Sequence, residues 1–258
     1  MLNKKPVEAF ILDNNGGATE LSYEELNCIN TKNKILWVHF DYSSNEAIDW
    51  ITNKTGIDEI VIDTLLTEET RPRTTILNDS LLIALRGVNL NPNSKPEDMV
   101  SIRLYISPNL IISTRKRNLL SVEEIIQSLK KGNGPKSASE FLTDLTYRMT
   151  SRMNSVIDEI EDRSDFLEES LIDSSDMKFR NEILAIRRET IILRRYLFPQ
   201  KEALNKLYHE KVTWLNEYEK IELRETNDQL IRHIEELDTI RDKVALIQEE
   251  LANTISDQ

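Results

Sequence analysis

Apolar and polar positions change their period near residue 135. Up to there, short apolar runs of strand length alternate with capped helical segments. Val7–Leu12 (VEAFIL) and residues 35–40 (ILWVHF) read as strands, the second carrying a His39 expected to be structural. Residues 74–77, 81–90, 100–106 and 110–114 read likewise. Asn78-Asp79 and Ser107-Pro108-Asn109 are turn sequences, so these later strands are expected to pair antiparallel. Ser22 with Glu25, Ser43 with Glu46 and Ser121 with Glu124 have capping-box spacing, and Asp58 is a further N-cap. The helix after Ser121 is expected to end near residue 131, broken by 132–135. The fold class predicted is α/β: an α/β/α layered domain with a largely antiparallel mixed sheet over 1–135, then long helices over 136–258.

Those helices number three. Ser137 with Glu140 opens one running to about 173, with Phe141, Leu145, Met149, Met153, Val156, Ile160 and Leu167 at three- and four-residue spacings. A short polar link, 173–176, leads to the second, about 177–208, carrying Ile183, Ile186, Ile191, Leu193 and Leu197. Pro199 is expected to kink or restart it. The third, about 216–258, has neither proline nor glycine and is roughly 60 Å long at 1.5 Å per residue. Leu230, Leu237, Val244 and Leu251 form a heptad row with Ile240 and Ile247 beside it, so this helix packs lengthwise against partners.

Its opposite face holds carboxylates and small side chains. Glu235, Asp242, Glu249 and Ser256 stand seven apart, interleaved with Asp238, Ala245 and Ala252, in one sector about 100° wide. Two readings stand side by side. One is a solvated acidic face; the other is several copies around an axis, their carboxylates lining a cation path. A rotation of about 50° puts Arg241 and Gln248 at that axis instead. The helix ends without a glycine cap or proline stop, and is expected to continue in a longer protein.

Composition narrows the chemistry. The 258 residues carry 33 basic and 45 acidic side chains, net −12, which disfavours nucleic acid and suits cations or basic partners. A single cysteine, Cys28, fits a reducing compartment. No signal peptide is legible, and no apolar run approaches the ~18 residues of a membrane span, so the chain as given is expected to be soluble. Catalysis finds no support: there is no phosphate loop, nucleophile elbow or His/Cys pairing. Zinc ligands are sparse and none stand at ligand spacing. His209 with Glu210 is a candidate surface site. His233 flanks the acidic stripe and is a candidate to join Asp238 or a neighbouring subunit. Zinc handling is therefore expected to be weak or shared between subunits.

Residues 68–117 read EETRPRTTILNDSLLIALRGVNLNPNSKPEDMVSIRLYISPNLIISTRKR. With Gly134-Pro135, IILRRYLFPQKEAL at 191–204 and the terminal QEELANTISDQ, this segment resembles the cytoplasmic domain of ZntB-type zinc transporters, a branch of the CorA family of divalent-cation channels and transporters. The resemblance implies a homopentamer at the bacterial inner membrane. It also implies stalk helices lining a funnel, Zn2+ as transported ion, and no tightly bound cofactor. The family's Gly-Met-Asn motif and both membrane helices are absent from these residues, so the chain is expected to be the cytoplasmic part alone. With it, Glu235, Asp238, Asp242 and Glu249 are expected to face the funnel as rings of carboxylate. Arg71, Arg73, Arg115 and Arg117, with Lys116, are candidates to bind anions or acidic residues of a neighbouring subunit, against intrachain pairing. The pairs Arg187-Arg188 and Arg194-Arg195 carry the same alternatives. Two other readings remain: a soluble helical scaffold without a metal role, and a magnesium-type channel whose intersubunit carboxylates sense the ion.

Overall fold

The computed structural model describes residues 5–68, 71–170 and 177–256, the side chains of 254–256 excepted. Among the described residues, seven strands form one sheet: β1 Val7–Leu12, β2 Ala18–Leu21, β3 Ile35–Asp41, β4 Arg73–Leu77, β5 Ser80–Gly87, β6 Val100–Ser107 and β7 Leu110–Arg115. Their order is β2-β1-β3-β7-β6-β5-β4. Every pairing is antiparallel except β3 with β7, where Trp37 stands opposite Ile111. The unforeseen strand is β2 (ATEL), four half-exposed residues at the sheet edge, too short to show a period.

Alternation in β3 divides the core. Leu36, Val38 and Phe40 face α2 Asn45–Lys54 and α3 Glu59–Leu66, with α1 Tyr23–Cys28 beside them. Ile35 and Trp37 face α4 Leu120–Lys130 and α5 Ala138–Ser151. Trp37 packs 4.8 Å from the Phe141 ring and donates its indole N–H to Ser113 Oγ at 2.9 Å. His39 is buried and bonds the same hydroxyl at 2.7 Å, so it is structural. The apolar cluster on this face continues without a break into α6 Met153–Glu169, α7 Met177–His209 and α8 Glu217–Ser256.

Local chemistry moves several expected boundaries. Ser44, not Ser43, caps α2, because Asp41 Oδ1 takes both the Ser43 N–H and hydroxyl, 2.9 and 2.6 Å away, in a turn before the helix. Ser121 does not cap α4: Leu119 holds that position without a side-chain bond, and the Ser121 hydroxyl is buried. Ser22, Asp58 and Ser137 cap α1, α3 and α5 as expected. β5 stops at Gly87 rather than Leu90, and Asn89 opens a loop by donating its N–H to Pro96 O at 3.1 Å. The first long helix is two, sharing Arg152 as a helical junction residue, and its expected end at 173 and the link 173–176 lie outside the described residues.

Helix α7 runs through Pro199 without a restart. The next residue explains what holds it there. Gln200 is buried, takes the Arg86 N–H at 2.7 Å and donates to Arg86 O at 3.0 Å, pinning α7 to β5. Thr74 adds a bond to Ala203 O at 2.9 Å. Helix α8 then lies antiparallel to α7, with Arg194 beside Asp238 and Arg187 beside Gln248. It lies parallel to α6, with Asn154 beside Gln229 and Asp165 beside Lys243.

Candidate functional site

The heptad row behaves as its spacing dictates. Leu230, Leu237, Ile240, Val244, Ile247 and Leu251 are all buried against the neighbouring helices. Rotating half a turn away from them leads to the outward face of α8, where Glu235, Asp242, Ala245, Glu249 and Ala252 are exposed. Glu235 and Glu249 make no ion pair among the described residues. Asp242 accepts from Arg241 Nη2 at 2.9 Å. Asp238 lies at the edge of this face and is drawn toward α7, accepting from Arg194 Nε at 2.7 Å and Arg241 Nη1 at 3.0 Å. The pattern of α8 alone had no means of showing the Arg194 partner. Gln248 is also turned to α7, where it accepts from Arg187. The Ser256 side chain lies outside those described.

A second acidic surface was not foreseen. A groove of about 760 Å³ between α5 and α8 is lined by Glu140, Asp144, Glu219, Glu222 and Glu225, among others. Burial pushes the Glu222 carboxyl above its ordinary range, and the charges of Glu219, Glu140 and Asp144 add to the rise, against a hydrogen bond from Thr143. Further along, burial and then Glu161 and Asp158 push Glu236 up in the same way. The signal was present in sequence: Glu219, Glu222 and Glu225 recur every three residues, on one flank of α8.

The histidines divide by environment. His233 is 2% exposed. Burial, with Arg232 close by, pushes its pKa down to about 4, against a small opposing pull from Asp158. Its ring is thus neutral at pH 7, and Nδ1 has no hydrogen-bond partner among the described residues. Asp238 is turned to the other side of α8 and does not approach it. His209 is exposed, bonded through Nδ1 to Asn205 O at 2.9 Å, its ring tilted 39° to that of Tyr208 at 4.6 Å between centroids, with Glu210 exposed beside it. Among the described residues, no three His, Cys, Asp or Glu side chains are placed to hold a metal ion.

The basic candidates separate into two kinds. Arg115 is buried and donates to Lys5 O at 3.0 Å, with Glu8 at 4.0 Å. Arg117 donates to Met99 O at 2.9 Å, and Lys116 sits 5.8 Å from the Tyr42 ring. Arg71 and Arg73 are exposed. Sequence reasoning passed over Arg103, fully buried and stacked 4.6 Å over Tyr42 while donating to Glu68 O. A lone arginine in an apolar strand was its signal.

Among the described residues, no helix is long and apolar enough to cross a membrane. Residues 32–258 match the family described as CorA-like Mg2+ transporter protein. The chain is 34% identical over 255 residues to the "Divalent cation transporter CmaX" of Pseudomonas aeruginosa, covering 98% of this chain and 77% of that protein. It is 30% identical over 251 residues to the "Zinc transport protein ZntB" of Yersinia enterocolitica, covering 97% and 76%. A crystal structure of the ZntB cytoplasmic domain from Vibrio parahaemolyticus superposes with a TM-score of 0.85 at 25% identity, covering 97% of this chain and 98% of that one.

Proposed function

The chain belongs to the CorA-like family of divalent-cation transporters, and from that premise we propose that it is the cytoplasmic funnel of a homopentameric inner-membrane transporter moving Zn2+. Helix α8 serves as the stalk. Its outward carboxylates, Glu235, Asp242 and Glu249, face the axis and raise the local concentration of divalent cations through their summed potential. Asp238 contributes less, because Arg194 and Arg241 already offset its charge. The observation that carries this reading is the division of α8: one face closes the core, and the other leaves carboxylates and alanines exposed. The absence of a three-ligand cluster among the described residues fits staging of ions better than storage. Zinc is favoured over magnesium by the likeness to the zinc transport protein ZntB, and catalysis has no part in the reading.

The test is flux of Zn2+ and of Mg2+ into vesicles carrying the membrane-embedded protein, with and without Glu235→Gln, Asp242→Asn and Glu249→Gln together. Slower Zn2+ flux in the neutralised protein at low ionic strength, converging with wild type at high salt, is the expected result. Equal flux at all salt concentrations rejects the role of the stripe. No flux of any divalent cation rejects the transporter reading and leaves the helical scaffold.

A further inference from the structure

The loop between β5 and β6 holds Pro96-Glu97-Asp98-Met99, part of the segment that carries the family resemblance, and the proposed transport gives it no role. Backbone bonds close this loop. Ser94 donates to Asn91 O at 3.1 Å, Asp98 to Lys95 O at 3.0 Å, and Asn89 to Pro96 O. Arg86 Nη1 and Arg117 Nη2 both donate to Met99 O, at 3.2 and 2.9 Å, and hold its returning end. The fixed loop turns Glu97 toward α6 and α7, where the residue is 6% exposed.

A carboxylate so buried needs a partner. Glu97 has none: no hydrogen bond or ion pair reaches its side chain from the described residues. It lines instead a cavity of about 170 Å³ between the loop and the two helices, with Val156, Ile160 and Leu193 as aliphatic walls. The other charged groups there are Lys95, Glu159, Arg163 and Glu189. Arg163 gives Nη1 and Nη2 to the two oxygens of Glu189, at 2.8 and 3.0 Å, and Nε to Glu182 at 2.5 Å. That pairing takes up the charge of Glu189. Lys95 and Glu159 are exposed at the rim. Glu97 is the buried carboxylate left over, and three acidic against two basic groups give the described lining one excess negative charge.

We propose that this cavity binds a small organic monocation: a primary alkylammonium group meets Glu97 with its N–H donors, and the hydrocarbon body lies on Val156, Ile160 and Leu193. Three observations select that chemistry. The excess charge is a single negative one. The walls are aliphatic, which a hydrated metal ion has no use for, and among the described residues no three carboxylates or imidazoles are placed to hold a bare one. The volume has room for about five waters at ~30 Å³ each, and so for an alkyl chain of similar heavy-atom count. An occupant bridges the loop to both helices, tying the sheet to the long-helix layer at a second point beside the Gln200 anchor. The site is separate from the α8 stripe and does not depend on it.

Butylammonium chloride titrated into the 258-residue chain tests the assignment, with binding read from saturation-transfer NMR and from the midpoint of thermal unfolding. Saturable binding that raises the midpoint is expected, while 1-butanol, butyrate and sodium chloride at equal concentration leave it unchanged. Glu97→Gln keeps the side-chain shape and is expected to weaken binding at least tenfold with an unchanged circular dichroism spectrum. Val156→Phe fills the cavity, leaves Glu97 in place, and is expected to abolish binding as well. Absence of saturable butylammonium binding to wild type overturns the proposal. So does an equal response to 1-butanol, wild-type binding by both variants, or displacement of butylammonium by equimolar Mg2+, which marks a metal site instead.

Discussion

The two faces of α8 are made from one helix of uniform propensity, yet they differ in everything that matters for function. The inner face is a row of Leu, Ile and Val locked between α6 and α7. The outer face has carboxylates, alanines and Leu246, none of which the fold of a single chain requires. Residues that hold the fold and residues available to other molecules are thus sorted by rotation about one axis. Substitutions on the first face should be read as stability, and on the second as binding.

The largest effect expected from breaking that contrast is on the inner face. Leu237→Ala removes a fully packed side chain and is expected to lower unfolding free energy by about 3 kcal/mol, read from urea denaturation. His233 comes next, and it acts through pH. Its folded pKa of about 4 lies below the ordinary 6.5, so between those values the unfolded chain binds more protons and stability rises with pH. Its contribution is complete above pH 6.5 and is lost as pH falls toward 4, by up to about 3 kcal/mol. His233→Gln is expected to flatten that part of the stability curve.

Gln200→Ala should cost about 1–2 kcal/mol, because it leaves the Arg86 N–H buried without its acceptor; the midpoint of thermal unfolding checks this. The smallest effect is expected outside. Glu249→Gln should change stability by less than about 0.5 kcal/mol, while lowering the retention of divalent cations.

Much of this contrast was legible in sequence because a 3.6-residue period and a heptad row are local properties. The inner row of α8, the caps at Ser22, Asp58 and Ser137, and the alternation of β3 follow from neighbouring residues alone. What could not be read depended on residues distant in the chain. Asp238 belongs by spacing to the acidic stripe, but Arg194, 44 residues away, turns it aside. Pro199 signals a break, which the Gln200 anchor on β5 renders unnecessary. Ile191 has the right spacing for the core, yet it stands 56% exposed, because α8 and α6 occupy the other sides of α7.

The most direct measurement is equilibrium dialysis of the 258-residue chain against Zn2+, comparing wild type with the protein carrying Glu235→Gln, Asp242→Asn and Glu249→Gln. Loosely held Zn2+ that falls in the triple variant, and falls in wild type as monovalent salt rises, is what an outward carboxylate stripe predicts. Identical retention by the two proteins would contradict it and return α8 to a purely structural role.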